Sequence, residues 1–331
     1  MYLYSDKYIS ATEMSSDQIV VHKTISDRMI VSVIGSIHQK CSQEDLKDLM
    51  NNIIEGSKGH RLRIDKGFFS YLGRMGIKLP YELSSNVKDD PKTDLLISLG
   101  GDGTFLRAAK LIAGTSATIL GINTGSLGFL TGTCPNELRQ MWDDIIEGRY
   151  ETEVRSMLAI STEINGEVQH YPPVLNEVAI LKRDTASMIG VHTLVDGERV
   201  ATFEGDGLLI ATPTGSTAYS LSVGGPIIHP HCPTLLLAPI APHTLNMRPI
   251  VIPDDVVLEM SVTTRNDAIL LSSDGYSTPL PGSAKIKVWR SDKEVRIVRH
   301  PIHTFYDTLR NKLMWGQDVR GNGQPKHCTK S

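Results

Sequence analysis

At 94–99 the chain reads DLLISL and runs directly into Gly100-Gly101-Asp102-Gly103-Thr104. An apolar run this short predicts a strand buried on both faces, which is the habit of parallel sheets. Phe105, Ala108, Ala109 and Ile112 follow at helical spacing, so the glycines mark a strand-to-helix turn. The alternation recurs on both sides. A strand at 29–35 (MIVSVIG) precedes a helical face of Leu46, Leu49, Met50, Ile53 and Ile54, with Ser42 and Asp45 as its capping pair. A strand at 117–123 (ATILGIN) precedes a helix over 136–146. This pattern predicts βαβ units on a parallel sheet.

Near 148–153 the texture changes to strand-like runs divided by Gly, Pro and Asx-Gly pairs. Asn165-Gly166 and Asp196-Gly197 are two-residue hairpin signals. A buried strand is expected at 208–211, a short helix after Gly215, and a closing helix over 303–313. The expected organisation is an N-terminal arm (1–28), an α/β domain with a parallel sheet (29–150), a β-rich domain (151–300), a closing helix (301–315) and a flexible tail (316–331). A cleft between the two domains is the natural place for a small molecule.

Composition narrows the function. Hydrophobic residues make up 40% of the 331, enough for a sizeable core. Lys and Arg number 34 against 37 Asp and Glu, with no basic block, so a nucleic-acid partner has no electrostatic footing. No apolar run reaches the length of a membrane span, and the N-terminus lacks a signal-peptide core, so a cytoplasmic protein with no membrane partner is expected. Cys41, Cys134, Cys232 and Cys328 form no C-x-x-C pair, which predicts reduced thiols rather than a zinc site or disulfide framework. His229 and His231 have no evident third ligand and read as structural.

Four segments carry chemistry. At Gly100-Gly101-Asp102-Gly103-Thr104, glycines let a ligand approach the backbone, and the following helix turns its positive end toward it. The result suits a phosphate. An Asp there repels phosphate, so Asp102 is either a proton acceptor for an attacking hydroxyl or a helix cap. Neither a Walker A loop nor a Rossmann fingerprint occurs. The second segment, NTGSLGFL (123–130), is by itself a Gly-rich loop. The third, Asn176-Glu177, interrupts the apolar strand VLNEVAIL, and the pair lies either on an exposed edge or in a cleft, where a carboxylate grips a ribose diol. The fourth, GDGLLIATPTGSTAYSLSVGGPI (205–227), places Ser and Thr ahead of a short helix, as a cap or as contacts to a nucleotide. Asp274-Gly275 reads as a turn.

In this order and spacing, GGDGT, NTGSLGFL, NEV and GDGLLIATPTGSTAYSLSVGGPI resemble the NAD kinase family, and PIAPHTLNMRPIVIP (239–253) fits the same pattern. The likeness runs from about Met29 to Trp315. It implies an ATP-dependent transfer of phosphate to the 2′-hydroxyl of the adenosine ribose of NAD. It places the catalytic base on Asp102, with Gly100, Gly101, Gly103 and Thr104 as the phosphate loop. It gives NAD contacts to Asp102, Gly103, Asn176, Glu177 and Asp206, the last often across a subunit boundary, and to Thr217, Ala218, Tyr219, Ser220, Leu221 and Ser222. It further implies a divalent metal, Mg²⁺, with ATP, no metal ligand assigned to the protein, and a homodimer or homotetramer. Tyr276 departs from the pattern, since many relatives have Gln there. The alternatives are a dinucleotide sensor without turnover, or another GGDG-type kinase such as a lipid kinase or a phosphofructokinase.

Overall fold

A computed structural model describes residues 19–21, 28–90, 92–125, 128–184, 187–265, 267–299 and 303–315. The tail expected at 316–331 and most of the arm expected at 1–28 lie outside the described residues. Within the arm, β1 (Ile19–Val21) pairs antiparallel with β7 (Glu151–Ile164).

The N-terminal half builds as its periodicity predicts. The strands β2 (Ile30–Gly35), β3 (Arg61–Asp65), β4 (Ser84–Ser85), β5 (Leu95–Leu99) and β6 (Thr118–Ile122) pair in parallel in the order β6-β5-β2-β3-β4. Helix α1 (Gln43–Gly56) carries the expected Ser42/Asp45 capping box. It packs on one face of this sheet with α2 (Lys66–Arg74) and α4 (Pro135–Ile146), while α3 (Asp102–Ile112) packs on the other. The chain therefore moves outward in one direction from β2 and in the other from β5. The gap between these two strands is a switch point, and ligands of open α/β sheets bind there, beyond the strand C-termini.

β3 and α2 have no counterpart in the expectations above. Charge disguises β3: it reads RLRID, yet Arg63 is only 3% exposed. Its guanidinium is satisfied by Ser32 Oγ, Asp90 Oδ2 at 2.8 Å and the Lys92 carbonyl. Burial of an arginine is tolerable when its donors are all taken up in this way.

The remaining strands are β8 (Glu167–His170), β9 (Glu177–Lys182), β10 (Ile189–Val195), β11 (Glu198–Gly205), β12 (Gly207–Ala211), β13 (Thr234–Ile240), β14 (Ile250–Pro253), β15 (Val257–Thr263), β16 (Ala268–Ser273), β17 (Tyr276–Pro281) and β18 (Lys285–Val298). One antiparallel sheet runs β14-β13-β12-β9-β16-β17. Its Ile180, Leu208, Ile210 and Leu271 pack against Ile160, Val191, Leu258 and Val288 of the other sheet. Both predicted Asx-Gly hairpins form, with Asn165 and Asp196 at positive φ. The short helix after Gly215 is α5 (Tyr219–Ser222), and the closing helix is α6 (Phe305–Leu313).

The two halves share a strand. β18 pairs antiparallel with β7 and β15, and then its end, at Arg296 and Ile297, pairs in parallel with β6. Cys134, just ahead of α4, is disulfide-bonded, which corrects the expectation of four reduced thiols; Cys41 and Cys232 are free. Disulfide pairing follows proximity in space, which sequence spacing does not report.

Candidate active site

The turn after β5 sits at the switch point. Ser36 N, at the end of β2, donates to Leu99 O at 2.9 Å. Gly100 has φ +153°, and a Cβ there would come within 2.6 Å of Thr104 Oγ1. The fold therefore needs glycine at this position. It does not need it at Gly101 or Gly103, where an added Cβ would meet nothing within 4 Å. Glycine weakens a helix by about 1 kcal/mol relative to alanine, yet Gly103 occupies the first turn of α3. The backbone at Gly101 and Gly103 is therefore open to approach from outside the chain. Thr104 N and Phe105 N both return to Gly101 O, so the N–H groups ahead of Thr104 have no intrahelical acceptor.

Asp102 is the first residue of α3, and its carboxylate is not a helix cap. It reaches instead to the segment after β6. Oδ1 accepts from Leu130 N at 3.1 Å, Thr131 N at 3.2 Å and Thr131 Oγ1 at 3.0 Å. Among the described residues, Oδ2 accepts only from Phe129 N, at 2.9 Å. The approach is so close that a Cβ on Gly128 would fall 1.9 Å from Asp102 Oδ1. Asn123 supports the loop by donating to Thr131 Oγ1 at 2.8 Å and accepting from Gly125 N at 2.7 Å. Ser126 and Leu127 of this loop lie outside the described residues. Oδ1 is thus committed to three donors, and Oδ2 carries one donor among the described residues.

The second cluster lies across α3. Phe105, Ala108, Ala109 and Ile112 form one core with Met157 and Leu175. Leu175 leads into Asn176 and Glu177 at the start of β9. The sequence left open whether this pair lies on an edge or in a cleft. Here Asn176 is 6% exposed, and its Oδ1 and Glu177 Oε2 are buried with no hydrogen-bond partner among the described residues. Gly215 presses on the pair from the next loop, where a Cβ would meet Asn176 O at 2.1 Å. Thr212 N donates to Asn176 O at 2.9 Å, and Thr212 Oγ1 donates to Leu175 O at 2.6 Å.

Asp274, expected only as a turn residue, organises this cluster. Its carboxylate accepts from Leu175 N at 2.9 Å, Asn176 N at 2.9 Å and Glu177 N at 3.3 Å. Burial, and then the charge of Asp274, push the Glu177 carboxyl up to about 8, against a hydrogen bond from the Tyr219 backbone that lowers it. Asp274 is itself raised by burial, opposed by its three backbone donors and by Lys110. Glu177 is the partner that holds the proton, because it has fewer groups stabilising its charge. An Asp-Gly pair predicts a turn, and nothing in the sequence marks its carboxylate as the anchor for residues a hundred positions earlier.

The remaining expected residues divide. Thr217 ends a 3₁₀ turn (Thr214–Thr217) and Ala218 links it to α5. Tyr219 and Ser222 are exposed, Leu221 is half-buried and Ser220 is buried. Asp206 does not join them. It precedes β12 at the end opposite Thr212 and forms an ion pair with Lys182 at 2.6 Å. Five residues of strand separate Asp206 from Thr212, a span of about 20 Å. His229 meets His231 and Phe305 edge to face. Among the described residues, no group of three or more His, Cys, Asp or Glu is placed to hold a metal ion.

Two family models match the sequence: the ATP-NAD kinase N-terminal domain over residues 37–150 and the ATP-NAD kinase C-terminal domain over 175–300. The chain is 41% identical over 291 residues to an NAD kinase of Porphyromonas gingivalis, covering 88% of this chain and 99% of that one. It is 45% identical over 249 residues to an NAD kinase of Bacteroides fragilis, covering 73% and 86%. Among solved structures, yeast NADH kinase complexed with NADH superposes with a TM-score of 0.79 at 22% identity, over 89% of this chain and 90% of that one. An NAD kinase from Archaeoglobus fulgidus in complex with ATP gives 0.62 at 24% identity, over 86% and 98%. At these identities the two structures establish a shared fold.

Proposed function

The chain belongs to the ATP-NAD kinase family, and from that premise we infer that it moves the terminal phosphate of ATP to the 2′-hydroxyl of the adenosine ribose of NAD, making NADP. The observation that carries the reading is the pairing, across α3, of an open glycine turn bearing Asp102 with the buried Asn176-Glu177 pair.

In this reading the phosphates of ATP lie against the open backbone at Gly101 and Gly103, with Gly100 and Thr104 shaping the turn. The free amides and the positive end of α3 favour them there. Mg²⁺ suits the donor set. It binds through substrate phosphates and water with few protein oxygens, and no cage of carboxylates is required. Bound there, it would draw charge from the phosphate oxygens. Asn176 and Glu177 take the acceptor nucleoside. Their unpartnered oxygens are acceptors, and a protonated Glu177 also donates. Thr217 through Ser222 supply the further contacts to NAD.

Asp102 then orients the ribose hydroxyl through Oδ2. A carboxylate is too weak a base to remove that proton outright. In a loose phosphoryl-transfer transition state the nucleophile develops little charge early, so Asp102 takes the proton late. Bonding to the phosphorus forms at the 2′-oxygen as the bond to the β,γ-bridging oxygen of ATP breaks, leaving ADP.

Asp206 lies too far along β12 to serve the same site within one chain. Its placement supports a homodimer or homotetramer in which it reaches a neighbour's dinucleotide. A cytoplasmic setting supplies both substrates. The deciding experiment is NADP formation by the purified protein with NAD, ATP and Mg²⁺, run beside Asp102→Asn. Absence of product from wild type, with NAD still bound, would replace the kinase with a sensor.

A further inference from the structure

Two residues that the mechanism does not use meet between α3 and β17. Lys110 lies in the last turn of α3, two turns beyond Asp102. Its Nζ stands 5.3 Å from the centroid of the Tyr276 ring, within cation–π range. Tyr276 opens β17 and is 55% exposed, so nothing in the core requires the contact. The same ammonium faces Asp274 and favours its charged form. Asp274 in turn holds the N–H groups of Leu175, Asn176 and Glu177. Tyr276 follows directly on the Asp274-Gly275 turn, so the contact of Lys110 with its ring ties α3, which begins at Asp102, to the turn that presents Asn176 and Glu177.

Seating α3 on the sheet does not depend on Lys110, because Phe105, Ala108, Ala109 and Ile112 are already buried. Ala108 and Ala109 are small, however, and small side chains leave a helix free to shift along the surface beneath it. Catalysis is sensitive to such shifts, since a displacement of about 1 Å can cost about 100-fold in rate. A charged contact at the far end of α3, made to the loop that orders the acceptor pair, removes that freedom.

We propose that Lys110 is a positioning residue for phosphoryl transfer: by its contact with Tyr276, beside the Asp274 turn, it fixes the separation between Asp102 and the Asn176-Glu177 turn. The proposal rests on the kinase reading above. Lys110→Met keeps the aliphatic stem and removes the charge, whereas Lys110→Arg keeps the charge and stacks well on an aromatic ring.

The test uses the full-length protein, with NAD and ATP varied separately and NADP formation measured for wild type, Lys110→Met, Lys110→Arg, Tyr276→Leu and the Lys110→Met/Tyr276→Leu pair. Lys110→Met is expected to lower kcat about tenfold with both KM values within about twofold of wild type, an effect on the scale of one cation–π contact. Lys110→Arg should recover most of that loss, and the double variant should be no worse than Lys110→Met. Should Lys110→Met not fold, Tyr276→Leu carries the same expectation from the other side of the contact. An unchanged kcat, no recovery in Lys110→Arg, or additive losses in the double variant would overturn the proposal. A rise in KM for ATP alone would overturn it too, assigning the ammonium to the donor phosphates. Wild type without turnover would remove the kinase reading before any variant is compared.

Discussion

Asp102 and Glu177 are both carboxylates, and their surroundings differ. Asp102 is fastened by four donors from Phe129, Leu130 and Thr131. Asparagine at this position keeps the shape but cannot accept the ribose proton. Asp102→Asn should therefore lower kcat by about 10²–10⁴-fold, the usual scale for losing a general base, and steady-state rates on a folded variant decide it. Glu177 sits beside Asp274 with one oxygen unpartnered, and its carboxyl titrates near 8 instead of the ordinary 4.5. The sign follows from that rise. The neutral form suits the folded state, so its stabilising contribution is whole below the ordinary value and is lost as pH climbs through the folded one. Glu177→Gln stays neutral throughout. It should melt close to wild type at pH 5 and above it at pH 9. A melting difference that does not widen between those pH values would show that Glu177 is ionised in the fold.

At the scale of the element, α3 shows why glycines in one motif are not equivalent. Gly100 is fixed by its own backbone and by Thr104. Gly128, in another loop, is fixed by Asp102 Oδ1. Gly103 is fixed by neither, since its missing side chain faces open space. Gly103→Ala should stabilise α3 by up to about 1 kcal/mol and at the same time raise KM for ATP. Thermal melts and kinetics on the same preparation separate the two effects. Gly128→Ala should do the reverse: leave the phosphate turn intact, displace the Asp102 carboxylate and lower kcat with little change in KM for ATP.

For the whole molecule, the shared strand β18 makes the parallel sheet and the antiparallel sheets parts of one framework, and the cleft is built on both. Asp206 is the residue this framework holds apart from the rest. If it serves a neighbouring subunit, co-expressing Asp102→Asn with Asp206→Ala should restore activity that neither has alone. One site of the mixed assembly then carries both lesions and another carries none. Failure of the mixture to exceed its components would place Asp206 outside the shared site.

The sequence alone determined the βαβ half, the hairpins and the phosphate turn. Each depends on local periodicity or on a backbone preference that neighbouring residues set, as at Leu95–Leu99 and Asn165-Gly166. It also carried the family, through motifs whose order is a property of the chain. It could not reveal β3, because buried charge on Arg63 is paired with partners more than twenty residues away. Nor could it reveal that Asp102 clasps the β6 loop, that Asp274 anchors Asn176 and Glu177, or that Lys110 meets Tyr276. Those contacts join segments far apart in sequence, and whether a carboxylate is paired, buried or protonated depends on which distant groups the folded chain brings within hydrogen-bonding reach.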